Sequence, residues 1–533
     1  MSTETKSQSD KIHEAELAFD RKRRTFGMIC GPICAILVMI TPIPDLPLPA
    51  HKLLAIMTLI ALWWITEPIP IPVTSLLGPT LAVICGVVGA KDAYAAFANP
   101  MIFLFMGGFI IAKGMMMHGL DRKFAFALLS MSWVGSNPRR IFLAVGLACA
   151  LCSGWVSNTA TAAMMFPIAL GLLEAIKEMF AANGKKIELH EYKYSTGLML
   201  MTAYACSIGG VLTPIGTPPN IIMLGFLDQM ANIHISFFEW MTWGVIAMVV
   251  YFIITYFILI RMFPPDVERI DGAEEFIRAR AAELGGWTRA QKNTLVCFLV
   301  AVFLWVFPGI LSMTLGSTSP ILKMYNLLFP EAVAAMFGAL LLFLMPINFK
   351  ERKFTLEWKS AVQGIEWGTL ILFGGGLAMG GMMYKTGLST WVGDCIVGWM
   401  GGEPSLFMMV AIFSVMALLL SELSSHGGYE HDRPLGRHRR HGGGLQPDPR
   451  RGRHRALLVA RLHAAGVDAA ERHRLRVGLR ADHEDDQDGR LHRLHRHLLR
   501  DDPDRALPRR VHRRRTLRAL DSPLQRSRRR MRV

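Results

Sequence analysis

Apolar runs close to the length of a bilayer crossing recur along the 533 residues at 27–46, 51–66, 73–90, 141–165, 241–263, 293–315, 331–346 and 406–424. They constrain the fold more than any other feature. A hydrocarbon core about 30 Å thick takes about 20 residues of α-helix. No water in that core can satisfy a stray N–H or C=O, so a spanning segment must bond its own backbone. With 52% hydrophobic residues and a mean hydropathy of +0.32, the chain reads as an all-α polytopic membrane protein whose first partner is the lipid bilayer.

Three further apolar stretches, 101–120, 195–225 and 369–400, are interrupted by Gly and Pro. Broken helices leave backbone groups unpaired, which is tolerated only where protein or a watery cavity covers them. These stretches are where a binding site is expected. The polar connections 182–194 and 264–292 carry Lys and Arg beside apolar runs, which places them in the cytoplasm. Residues 1–26 lack the short apolar core and cleavage site of a signal peptide, and Lys22, Arg23 and Arg24 precede the first run. They read as a cytoplasmic leader held inside by that basic cluster.

FMGGFIIAKGMMMHGL (105–120) aligns without gaps to FGGGLAMGGMMYKTGL (373–388), pairing Gly107 with Gly375 and Gly119 with Gly387, a separation of 268. Inverted repeats of this kind build many secondary transporters. The first repeat is set at about 51–263 and the second from about 293. The same separation carries Ser153 onto Ser421 and Ser157 onto Ser425, but Asn158 falls on His426.

From that residue the composition changes. Residues 426–533 hold 29 Arg and no Lys against 14 Asp and Glu, a net +15 of the chain's +16, and 12 of its 17 His. The transmembrane region 27–425 is therefore almost neutral, and no nucleic-acid partner is called for. Such a segment resembles GC-rich DNA read out of frame. Regrouping its codons by one position lets HGGYEHDRP read NTAATSMIVP, continuing SELSS as a counterpart of SGWVSNTATAAMMFP. HAAGVDAAERHRLR (463–476) similarly permits MLPVSTPPNAIVF, a counterpart of LTPIGTPPNIIM. The 426–533 tail is read as frameshifted, truncating the second repeat. Without sustained helix or strand periodicity it is expected to be disordered. The other reading is a genuine Arg-rich disordered tail.

The residues that carry chemistry are small and polar within apolar surroundings: Ser153, Ser157, Asn158 and Thr159, then Gly209, Gly210, Gly216, Thr217, Pro218, Pro219 and Asn220. SNT before ATAAMMFP reads as a helix beginning inside the membrane, its free N–H groups turned toward an anion. In GTPPN the prolines remove donors and break the helix, leaving carbonyl and side-chain oxygens that suit a hard monovalent cation. Such residues also serve as interhelical glue; their combination in two broken helices favours a site.

SNTATAAMMFP, GTPPNIIMLG and WWITEPIPIPVTSLLGP (63–79) resemble the signatures of the divalent anion/sodium symporter family, over about residues 20–425. The resemblance implies an inverted-repeat fold with re-entrant hairpins and broken helices, a homodimer, and an elevator-type movement. It also implies Na⁺ as coupling ion and a small dianion as substrate, a C4-dicarboxylate such as succinate being favoured over citrate or sulfate. Ser153, Ser157, Asn158 and Gly210 would line a first Na⁺ site, with Asn220 in the same ligand group. Asn158, Thr159, Thr217 and Pro218 would face the substrate, and Ser421 and Ser425 would remain of a second Na⁺ site. An H⁺-driven antiporter or oxyanion exporter of related plan, and a non-functional truncated product, are the competing readings. No nucleophile–base set or phosphate loop suggests an enzyme. Glu67 could carry protons but reads as a structural turn. Lys113 and Lys385 read as interfacial, and Trp63 and Trp64 as an aromatic belt.

Overall fold

The computed structural model describes residues 8–424 except 183, 185–186, 190–191 and 400–404. The frame-shifted reading of 426–533, and Ser425, lie outside the described residues. In chain order the helices are α1 (Gln8–Ile40), α2 (Leu48–Thr66), α3 (Ile71–Ile84), α4 (Ala90–Ala95), α5 (Pro100–Met117), α6 (Leu120–Leu129) and α7 (Pro138–Ser153). Then come α8 (Asn158–Ala182), α9 (Lys193–Gly209), α10 (Pro218–Ala231), α11 (Phe237–Met262), α12 (Ala273–Glu283) and α13 (Arg289–Leu315). The series closes with α14 (Pro320–Leu328), α15 (Glu331–Leu344), α16 (Trp358–Gly364), α17 (Trp367–Thr386), α18 (Leu388–Trp399) and α19 (Leu406–Ser424). One small antiparallel pair, β1 (Pro346–Asn348) and β2 (Lys353–Phe354), joins α15 to α16.

Among the described residues six helical stretches are long and apolar enough to cross a membrane, and α14 with α15, bent by 52°, makes up to a seventh. The expectation of an all-α polytopic membrane protein therefore holds. Each of the three stretches read as interrupted contains a helix break, and a further break was not read. The apolar run 141–165, which looked continuous, is cut at residues 154–157 between α7 and α8. In the glycine-rich stretches the helices run unbroken as far as Met117 and Thr386. Their breaks come at Gly119 (φ 64°) and Gly387 (φ 80°), where glycine tolerates the left-handed backbone. Glycine inside a packed helix keeps its i→i−4 bond, so it need not interrupt a span. It serves instead for close approach: a Cβ on Gly107 would fall 2.7 Å from the Ala335 backbone.

The two glycine-rich helices reflect the repeat. α5 packs on α15 and α17 packs on α3, so each half lends its glycine-rich helix to the other. The helix after each glycine starts at equivalent positions, Leu120 and Leu388. Phe105 and Phe373, one repeat separation apart, meet edge to face with ring centroids 6.1 Å apart.

The polar leader is not set off from the first apolar run, because α1 continues through residue 26 to Ile40. Arg23 donates to the Ile65 carbonyl at 3.2 Å and stands 3.8 Å from Glu67 and 3.6 Å from Asp20. Glu67 ends α2 in the left-handed region at φ 50°. Trp63 donates to the Gly27 carbonyl and Trp64 to Ser75 Oγ, so both tie helices together.

Candidate functional site

Two helices stop within the protein and restart after a few residues. α7 ends at Ser153 and α8 begins at Asn158; α9 ends at Gly209 and α10 begins at Pro218. α7 and α9 pack side by side, so closely that a Cβ on Gly209 would lie 2.1 Å from the Ala150 carbonyl oxygen. That contact places the loops 154–157 and 210–217 together.

Asn158 is the hub. Its Oδ1 accepts from the buried Ser153 hydroxyl at 2.6 Å. Its amide also lies against Gly210, where an added Cβ would be 2.4 Å from Oδ1 and 2.9 Å from Nδ2. Only glycine lets the second loop approach so near. Ser157 caps α8: its hydroxyl accepts from Ala160 N at 3.3 Å, and its carbonyl accepts from Thr161 N at 3.0 Å. Asn220, buried in α10, donates through Nδ2 to the carbonyls of Gly210 and Thr213, each at 2.9 Å. Thr213 in turn donates to the Gly154 carbonyl, joining the loops directly.

The arrangement brings helix ends of both polarities together. α7 and α9 contribute C-termini, whose carbonyls carry partial negative charge, while α8 and α10 contribute positive N-termini. The Gly154 and Gly210 carbonyls each accept one side-chain hydrogen bond, and a carbonyl oxygen has a second lone pair for a cation. Pro218 and Pro219 open α10, so its first two residues offer no N–H. Thr217 precedes them in an extended conformation and its hydroxyl caps nothing, while Thr159 is half-buried in the first turn of α8. Both hydroxyls are placed at helix N-termini, where a carboxylate is favoured.

Of the residues read from the sequence, Ser153, Asn158, Gly210 and Asn220 are joined in one hydrogen-bonded, closely packed group, and Ser157 caps the helix that Asn158 begins. Thr159, Thr217 and Pro218 adjoin it. Ser421 is exposed near the end of α19, a helix that packs on α2, and is not part of that group. Thr213 was not anticipated, although its place between two breaks in LTPIGTPPN marks it as a loop residue. Nor were the braces behind the loops. Trp240 donates to the Val211 carbonyl at 3.0 Å. Trp155 meets Phe298 edge to face at 5.2 Å and stacks on Phe237 at 6.4 Å, and Phe237 stacks on Trp305 at 4.5 Å. One buried acid belongs to α6, outside the spanning helices. Asp121 accepts from Arg122 N at 2.8 Å, and burial holds its carboxyl above the ordinary carboxylate range.

Interrupted membrane helices whose ends gather oxygen ligands and free amides define a secondary transporter. Residues 25–430 match the family profile described as the sodium:sulfate symporter transmembrane region, and the chain belongs to that family, making it a multi-pass plasma-membrane transporter. It is 34% identical over 403 residues, 75% of each chain, to a sodium-dependent dicarboxylate transporter of Staphylococcus saprophyticus. It is also 33% identical over 386 residues, 72% of each chain, to a protein of the same description from Staphylococcus aureus strain USA300.

Proposed function

We propose that this protein imports small divalent anions, C4-dicarboxylates such as succinate foremost, together with Na⁺. The observation that carries the reading is the contact of Asn158 with both Ser153 and Gly210, because one side chain thereby belongs to both loops. Ser153, Ser157, Asn158 and Gly210 hold Na⁺ with neutral oxygens, and Asn220 acts on the same group by fixing the Gly210 carbonyl. Bound Na⁺ places positive charge beside the N-terminus of α8, and the dianion follows to Thr159, Thr217 and Pro218. Each ion offsets the other's cost of burial. The sodium-dependent dicarboxylate relatives support both the ion and the substrate class.

Alternating access is of the elevator type, in a homodimer, as the family resemblance suggests. The reciprocal packing of α5 on α15 and α17 on α3, with Phe105 against Phe373, supports the repeat plan on which such movement depends. Proton coupling through Glu67 is disfavoured, since Arg23 engages it.

The second half of the site, with Ser421 and Ser425, is completed in the gene's other reading frame. Sequencing the DNA across codons 421–430 tests this directly, since an intact frame through His426 would remove the assignment. Succinate uptake into proteoliposomes tests the function. The frame-restored protein is expected to concentrate succinate under a Na⁺ gradient and not under a choline or pH gradient, and Asn158→Ala is expected to abolish uptake. Uptake driven by protons and indifferent to Na⁺ would sink the proposal.

A further inference from the structure

A threonine in a membrane helix has a ready partner for its hydroxyl, the carbonyl four residues back. Eleven threonines in or at the ends of the described helices use it. Thr58, Thr80, Thr202, Thr242 and Thr294 do so at 2.7–3.0 Å. Thr161 does not. It is 1% exposed, near the start of α8, and its Oγ1 has no hydrogen-bond partner.

The carbonyl that its hydroxyl passes over is that of Ser157, at the break itself, which accepts from the Thr161 backbone N–H alone. A hydroxyl sealed away from water without a partner is costly, and here an acceptor lies four residues back. Thr161 also follows Asn158 by three residues, so the two share a helix face with Cβ atoms about 5–6 Å apart. Asn158 is the side chain that touches Gly210 and Ser153. The unpaired hydroxyl therefore belongs to a residue one turn farther into α8 than the side chain that joins the two loops, and on the same helix face.

We infer that the Thr161 hydroxyl is a further ligand of the Na⁺ site, and that the ion supplies the partner the protein withholds. The inference rests on the reading of residues 153–158 as a cation site. A neutral hydroxyl oxygen is the type of ligand the other members provide, and it adds to Ser153 Oγ, Asn158 Oδ1 and the Ser157 carbonyl without adding charge. Thr161 also lies one turn farther into α8 than Asn158, away from the helix N-terminus assigned to the anion. It therefore acts on the ion and not on the anion.

The test is equilibrium binding of ²²Na⁺ to the purified frame-restored protein in detergent, with melting curves in NaCl and in choline chloride at equal ionic strength. Thr161→Val preserves shape and removes the hydroxyl. It is expected to weaken ²²Na⁺ binding at least fivefold while the melting midpoint in choline stays the same or rises. Thr161→Ser keeps a hydroxyl and is expected to bind within twofold of the parent. If Thr161→Val binds as the parent does while Asn158→Ala loses binding, the inference is overturned and the cation site stands. A Val variant that melts lower in choline and loses binding, with Ser failing to rescue, assigns Thr161 a structural role and also overturns it. Absence of ²²Na⁺ binding by the parent chain overturns the cation site and this inference together.

Discussion

Gly210→Ala separates the geometry of the site from the stability of the fold. The new Cβ would stand 2.4 Å from Asn158 Oδ1 and 2.9 Å from Nδ2, where contact normally begins near 3.4 Å. The Asn158 amide must move by about 1 Å, and that displacement breaks the 2.6 Å bond from Ser153. Loss of one such bond is worth about 0.5–1.5 kcal/mol, and a misplaced ligand adds a similar amount. Na⁺ affinity should fall about 10- to 100-fold, or ~1.4–2.8 kcal/mol. The backbone itself accepts the change, because Gly210 has φ −60° and ψ −20°, ordinary right-handed values. Alanine there also gains about 0.4–1 kcal/mol by restricting the unfolded chain. The melting midpoint in choline should therefore stay near that of the parent while ²²Na⁺ binding collapses. Parent-like Na⁺ affinity in a well-folded Gly210→Ala protein would show that Asn158 is not held for the ion, and the two-loop site would fall with it.

Asn220→Ala removes donors from the Gly210 and Thr213 carbonyls and should cost about 1–3 kcal/mol, read as a lower melting midpoint with or without Na⁺. Thr213→Val cuts the tie to the Gly154 carbonyl; weaker Na⁺ binding is expected with a smaller loss of stability, and an unchanged Na⁺ titration would deny that this tie matters. Glu67→Gln weakens the pairing with Arg23 and should lower the melting midpoint slightly while leaving the pH dependence of uptake unchanged; an altered pH profile would instead make Glu67 a proton carrier. Asp121→Asn should stabilise the protein at neutral pH. Because the folded carboxyl titrates above its unfolded value, the parent loses stability as pH rises between the two, and the asparagine variant should lack that slope in thermal melts across pH 4–8.

The sequence displayed the all-α membrane class because lipid permits so few alternatives, and SNT and GTPPN stood out because prolines and capping residues are costly inside an apolar helix. It did not say which glycines of the glycine-rich segments break the helix, for a physical reason. Gly107 and Gly375 permit close packing as readily as bending, and only the partner surfaces on α15 and α3 distinguish the two uses. Residues 154–157 were hidden in an apolar run because Trp155 and Val156 are hydrophobic although their backbone is not helical. Thr213 and Trp240 escaped attention because each binds a carbonyl distant in sequence, Gly154 and Val211 respectively, and no local pattern encodes such a bond. Thr161 shows the same limit from the other side: as a letter it resembles eleven other threonines, and only its unpartnered oxygen sets it apart.

The meeting of Phe105 with Phe373 bears on how such a molecule could arise. Before duplication and fusion, a half-sized ancestor would have paired with a second copy of itself, and this phenylalanine would have touched its own image. Any substitution there would have altered both faces of the contact at once, so only a self-compatible side chain could persist. Fusion lifts that requirement, and the two positions are now free to diverge as a pair of unlike residues.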